Sequence, residues 1–77
     1  MTFSEAPADE IIEALKALGL TKYESRVYMA LMKYKWATAT EIHGESGVPR
    51  ASVYPTLDHL VEYGLVNLSK STPKRFN

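Results

Sequence analysis

Apolar residues recur at helical spacing over most of this chain, and the breaks between the runs are marked by glycine, proline and short capping signals. Ile11, Ile12, Leu15 and Leu18 share one face of a first helix, which the spacing predicts from about Pro7 or Asp9 to Leu18. Asp9 and Glu10 suit the positive end of its dipole. Gly19 ends it, and Leu20 supplies the apolar contact that accompanies such a cap. Thr21 to Glu24, TKYE, has the form of a capping box, a hydroxyl at the cap and a carboxylate three residues on. It opens a second helix expected to reach about Lys33, with Val27, Leu31 and the rings of Tyr23, Tyr28 and Tyr34 giving apolar surface. A second box, TATE from Thr38 to Glu41, starts a short third helix, Ala39 to Ser46. The Ala37-Thr38 pair before it has room only for a very short strand.

Gly47 and Val48 make a tight connection, and Pro49 opens a fourth helix that runs to Tyr63. Val53, Leu57, Leu60 and Val61 form its inward face; Ala51, Ser52, Pro55, Asp58, His59 and Glu62 fall outward. Gly64 stops it. Leu65 to Lys70 then alternates apolar and polar, which is strand spacing. Ser71 to Pro73 turns the chain, and Lys74 to Asn77 returns as a second strand.

Pro55 breaks the pattern of the fourth helix. A proline inside a helix removes a hydrogen bond and costs about 3 kcal/mol. Two arrangements accommodate it. The helix begins at Pro49 and the lost bond, to the carbonyl of Ala51, faces outward, where water or a ligand replaces it. Alternatively Ser52 caps a helix that starts later, with Pro55 in its first turn, a version favoured by the bias of Tyr54 away from helical angles. Both put Pro55 outside the core.

The order is therefore helix, helix, short strand, helix, tight turn, helix, hairpin. A short helix, a glycine turn and a longer helix make a helix-turn-helix, and a hairpin directly after it makes a winged helix. The expected fold is mostly α with a small β-hairpin (α+β): four helices plus a two-stranded wing, one domain over residues 1–77, with 1–7 flexible and the wing at about 65–77. In such folds the second helix of the pair enters the DNA major groove.

Composition narrows the chemistry. Nine basic and nine acidic residues give no net charge, so bulk charge does not announce nucleic acid. Their distribution is uneven. Residues 1–32 hold five acids against three bases; residues 33–77 hold four acids against six bases, and no acid follows Glu62. Such an asymmetry can mark a binding face. The bases fall where a winged helix would use them, Arg50 at the start of the recognition helix (about 49–63) and Lys70, Lys74 and Arg75 on the wing. The outer face of that helix is small and free of carboxylate at its N-terminal end; Asp58 and Glu62 come only later. The alternative is an amphipathic helix with a mixed surface and a solvated basic tail.

The chain has no cysteine, which fits a reducing compartment. There is no signal-peptide pattern and no apolar run near the ~20 residues of a membrane span. The reading is a cytoplasmic protein with no membrane partner. Ser52, Asp58 and His59 include triad residue types, but Asp58 and His59 are helical neighbours that point apart. No glycine-rich phosphate loop exists, and His43 and His59 are read as surface residues. No enzyme, cofactor or metal site is expected.

Leu18–Met32, LGLTKYESRVYMALM, together with TATEI (Thr38–Ile42), SGVPRASVY (Ser46–Tyr54) and the Leu60–Val66 stretch, resembles the N-terminal DNA-binding domain of the TrmB-type transcriptional regulators, found mostly in archaea. The resemblance covers about residues 10 to 77. It implies a dimeric winged-helix repressor or activator on a palindromic double-stranded operator, with Arg50, Ser52 and Tyr54 on bases or phosphates and the wing on the backbone. Longer members continue into a coiled coil and an effector domain, often for sugars. That part is not represented in these 77 residues, so no effector site is carried over. Arg50 suits a guanine edge or a phosphate. Ser52 suits a base or a helix cap, and Tyr54 a phosphate with its ring partly in the core. Thr38 and Thr40 suit a phosphate at the start of the third helix, Thr38 equally a cap alone. Ala51 and Pro55 complete the expected contact face. The rival reading is a winged-helix adaptor that binds protein within a transcription complex, since fold alone does not fix function.

Overall fold

The computed structural model describes residues 7–77; the expected flexibility of the N-terminus falls, apart from Pro7, outside them. Four helices are followed and interrupted by three two-residue strands: α1 (Ala8–Ala17), α2 (Lys22–Leu31), β1 (Ala37–Thr38), α3 (Ala39–Ser46), α4 (Arg50–Glu62), β2 (Leu68–Ser69) and β3 (Arg75–Phe76).

The local signals act as their chemistry requires. After α1, Gly19 takes φ 107°. Its amide bonds the Lys16 carbonyl and that of Leu20 bonds Leu15, the paired bonds of a glycine-terminated helix. Both capping boxes form, with Thr21 and Glu24 at α2 and Thr38 and Glu41 at α3 exchanging side-chain and backbone bonds. α2 stops at Leu31, two residues short of the expected end. The amides of Met32, Lys33 and Tyr34 instead reach back three residues, to Met29, Ala30 and Leu31, the tightened turn that often satisfies a helix terminus.

The fourth helix decides between the two accommodations of Pro55. Pro49 is its cap residue and Arg50 its first helical residue. The Ser52 amide already bonds the Pro49 carbonyl at 2.8 Å, so Ser52 lies inside the helix and is not its cap. The version with Pro55 in the first turn is overturned. Pro55 stands within the helix, and both it and Ala51, whose carbonyl it leaves free, are exposed.

The wing differs from the expected pair of strands. The sheet is three-stranded and antiparallel, in the order β1-β3-β2. Ala37 pairs with Phe76 and Thr38 with Arg75 on one side of β3; Leu68 and Ser69 pair with the same two residues on the other. Reciprocal bonds between Asn67 and Asn77 extend the β2–β3 ladder. β1 joins because Thr38 is extended as the cap of α3 (φ −79°, ψ 162°), and a strand edge there satisfies backbone groups that would otherwise lack partners.

One core runs through α2, α3, α4 and the sheet: Val27, Ala30, Leu31, Ala37, Ile42, Val48, Val53, Leu57, Leu60, Val66 and Phe76. The inward face of α4 is as expected, with Val61 half-buried and Thr56 buried in addition. Phe76 is the largest wholly buried side chain, so the last strand is fastened to the helices by its own residue. α1 adds Ile11 and Leu15 against α2. No helix among the described residues is long and apolar enough to cross a membrane. Four helices with a short antiparallel sheet in this connectivity form a winged helix.

Candidate nucleic-acid interface

The helix ends separate α4 from its neighbours. The first turn of α1 carries Asp9 and Glu10, that of α2 Glu24, and that of α3 Glu41. In α2 and α3 these acids are committed to the capping boxes. The first turn of α4 has no acid and no side-chain cap; it has Arg50, exposed. Its own first turn therefore leaves the positive end of its dipole unneutralised, which favours an anion there.

Arg50, Ala51, Tyr54 and Pro55 are exposed on this end of α4, and Ser52 is half-buried beside them. Tyr54 is 47% exposed. Its ring meets Phe76 edge-on, with centroids 6.3 Å apart and planes at 67°. The ring is thus supported by the sheet, while much of its surface remains open. Phe76 joins α4 to β3, and Arg75, the preceding residue, is exposed. Arg75 is paired across the ladder with Thr38 at the start of α3. Three sequence-distant candidates, Thr38, Tyr54 and Arg75, are thereby tied to one strand.

The Thr38 hydroxyl is engaged with Glu41: it accepts from the Glu41 amide at 3.2 Å and donates to Glu41 Oε1 at 3.2 Å. Thr40 is exposed on α3. Lys70 and Lys74 are exposed at the two shoulders of the wing turn, just after β2 and just before β3. That turn is braced by Ser71, whose hydroxyl donates to the Pro73 carbonyl at 2.7 Å and accepts from Arg75 Nη1 at 3.4 Å.

Among the described residues the ion pairs are Lys16–Glu13, Lys33–Glu45 and His59–Glu24. No carboxylate among the described residues lies within pairing distance of Arg50, Lys70, Lys74 or Arg75. Lys33 is held against α3 by Glu45, and the hydrogen bond and charge of that carboxylate raise its pKa above the usual lysine value. Lys35 and Trp36 are exposed in the turn before β1.

The turn between α3 and α4 is supported by contacts that sequence reasoning missed. Gly47 is left-handed at φ 71°. The Val48 amide donates to Ser46 Oγ at 3.2 Å, and His43 Nδ1 lies 2.8 Å from the Val48 carbonyl, which accepts from it. Arg26 Nε, from α2, donates to the Ser46 carbonyl at 3.1 Å. His43 is therefore a half-buried structural residue rather than a surface one. His59 is exposed but turns toward α2, with Nδ1 3.4 Å from Glu24 Oε2 and its ring stacked on Tyr63. Arg26–Ser46 and His59–Glu24 join residues that only the fold brings together, whereas Ser46–Val48, His43–Val48 and His59–Tyr63 are close in sequence but depend on how the turn and the rings are set. Among the described residues no group of His, Asp or Glu is arranged to hold a metal ion.

The fold and this surface together define a winged-helix protein with exposed basic residues at the start of α4 and on the wing. Residues 15–77 match the family described as "Sugar-specific transcriptional regulator TrmB", and the chain belongs to that family of transcriptional regulators. It is similar to the HTH-type sugar sensing transcriptional regulator TrmBL1 of Pyrococcus furiosus, with 38% identity over 68 residues, 88% of this chain and 20% of that protein. It is also similar to the uncharacterized protein YrhO of Bacillus subtilis, with 37% identity over 67 residues, 86% of this chain and 24% of that one. The chain thus spans a fifth to a quarter of the length of these relatives. No solved structure matches it.

Proposed function

We propose that this chain is a sequence-specific binder of double-stranded DNA, with the N-terminal half of α4 in the major groove and the wing on the flanking backbone. The observation that carries the reading is the unpaired basic strip, Arg50 at an acid-free helix start together with Lys70, Lys74 and Arg75. Arg50 reaches a phosphate or a guanine edge, Ser52 and Tyr54 lie on the same approach, and the small side chains of Ala51 and Pro55 allow close contact. Thr38 and Thr40 offer phosphate contacts from the start of α3, Thr38 while still capping it. The chain acts in the cytoplasm as a homodimer on a palindromic operator. The dimer is supported by exposed Leu18, Tyr63 and Leu65 around a depression of about 300 Å³, and solution mass as a function of concentration tests it. The sugar sensing in the name of the Pyrococcus protein is said of a chain more than four times as long and is not carried over.

Fluorescence anisotropy of a labelled duplex from the gene's own upstream region, at two salt concentrations, tests the reading. With six to eight phosphate contacts per dimer, log affinity falls against log salt with a slope of about −5 to −7. Arg50→Ala and Lys74→Ala/Arg75→Ala should each weaken binding and flatten that slope. A folded chain that binds no duplex at low salt refutes direct DNA binding and favours the protein-adaptor reading.

A further inference from the structure

We propose that Arg26 and Glu24 of α2 are positioning residues for the recognition helix, each fixing one end of α4. The inference rests on the DNA-binding reading. Two residues apart on a helix, the two side chains project to nearly opposite sides; Glu24 reaches the C-terminal end of α4, and Arg26 reaches the turn that leads into its N-terminal end.

Glu24 holds the C-terminal end. The domain has two capping boxes with the same chemistry, and they differ in one respect. Glu41 is exposed, whereas Glu24 is 3% exposed. A carboxylate without partners is costly to bury, and capping alone does not require burial, as Glu41 shows. The difference lies in the second oxygen. Glu24 Oε1 accepts from the Thr21 amide at 2.9 Å, while Oε2 accepts from the Tyr63 hydroxyl at 3.3 Å and lies 3.4 Å from His59 Nδ1. Both partners belong to the last turn of α4 or its cap residue.

Arg26 holds the N-terminal end. Its bond to the Ser46 carbonyl places a cation at the C-terminus of α3, where orphan carbonyls favour one. Its guanidinium lies so close to Gly47 that a Cβ there would stand 2.7 Å from Nη2. With Ser46 and His43 holding Val48 by both its amide and its carbonyl, the three residues before Arg50 have little freedom. α4 is about 20 Å long, so fixing both ends fixes its tilt. Base readout requires side chains within about 0.5 Å of the productive position.

The test compares two duplexes, one selected by the wild-type chain from a randomised pool and one of unrelated sequence, each at two salt concentrations. Arg26→Met keeps the aliphatic stem, Arg26→Lys restores a cation, and Tyr63→Phe removes one hydroxyl and leaves the ring. Arg26→Met should lower affinity for the selected duplex about tenfold and Tyr63→Phe about threefold, with affinity for the unrelated duplex and both salt slopes unchanged. Arg26→Lys should recover part of the loss. Amide exchange at Gly47 and Val48 should quicken in Arg26→Met while the interior of α2 stays protected, which confirms that the variant is folded. Equal losses on both duplexes, with a slope flatter by about one, would make Arg26 a phosphate contact and overturn the positioning role. So would an unchanged ratio between the duplexes. A wild-type chain that selects no sequence overturns the DNA reading itself, and the inference with it.

Discussion

Replacing Gly47 by alanine measures how firmly Arg26 is seated, and Gly64 supplies the internal standard. Both glycines are left-handed, at φ 71° and 77°. A Cβ in that region costs about 1–2 kcal/mol, and alanine returns about 0.4–1 kcal/mol by narrowing the unfolded ensemble. At Gly64 nothing lies within 4 Å of the added atom, so Gly64→Ala should destabilise by about 1 kcal/mol from the backbone term alone. At Gly47 the added methyl would stand 2.7 Å from Arg26 Nη2, closer than real atoms approach. The guanidinium tip must move, which is cheap for a free side-chain end; Arg26 is expected to be seated firmly enough for the shift to break its Nε bond to the Ser46 carbonyl. A hydrogen bond from a charged donor contributes about 1.5–3 kcal/mol; Arg26 is half-buried, which places the loss at the lower end. Gly47→Ala should therefore cost about 2–3 kcal/mol. A domain of this size has about 3–5 kcal/mol in all, which leaves the variant about 0–3 kcal/mol, so all titrations are run in a stabilising osmolyte such as sucrose. Urea titration followed by circular dichroism, with a slope near 1 kcal/mol/M, should show the midpoint falling about two to three times as far for Gly47→Ala as for Gly64→Ala. In an Arg26→Met background the two substitutions should cost the same. Equal costs in the wild-type background, or a difference that survives Arg26→Met, would refute the seating of Arg26 on this turn.

Two further outcomes are expected. Thr21→Ala and Thr38→Ala each remove a formed capping box and should lower unfolding free energy by about 1 kcal/mol; if Thr38 also meets phosphate, only Thr38→Ala weakens duplex binding as well. The Tyr63 phenol is raised above its usual pKa, chiefly by the Glu24 carboxylate beside it. It holds its proton more tightly folded than unfolded, so its contribution is complete below the unfolded value near 10 and is lost as pH rises through the folded one. Urea midpoints from pH 8 to 11 should fall at the alkaline end, and fall less in Tyr63→Phe; parallel curves would contradict the Glu24–Tyr63 contact.

What could be read from the chain was local. The capping boxes at Thr21 and Thr38, the glycine end of α1 with Leu20 folded back, and the inward stripe of α4 all depend on residues within four or five positions. The pairing of β1 with β3 joins Ala37 to Phe76 across more than half the chain, and two-residue strands are too short to show alternation. The burial of Thr56 and Glu24 has no sequence signal, because polar side chains are usually exposed and burying these two depends on partners supplied by other elements. The Arg26–Ser46 and Tyr54–Phe76 contacts were illegible for the same reason; His43–Val48 spans only five positions but closes across the turn set by left-handed Gly47. Pro55 is an intermediate case. The sequence placed it on the outer face, but its position within α4 depends on where the helix starts, and the Pro49–Ser52 bond decides that.

Net charge says little about this domain because its acids and bases have different employment. Glu24 and Glu41 are consumed at helix starts, and Glu13 and Glu45 are paired with lysines. Asp9 and Glu10 lie at the start of α1, a helix that packs on α2. Asp58 and Glu62 sit in the later turns of α4. The bases at the start of α4 and along the wing are left without such partners. A polyanion approaching that end meets an acid-free helix terminus and unpaired cations at distances where a Debye length of about 8 Å still transmits their field, while most of the balancing acids are committed elsewhere. A neutral chain can thus carry a locally basic face, and under the proposed function the salt slope of DNA affinity is set by that face, not by the total.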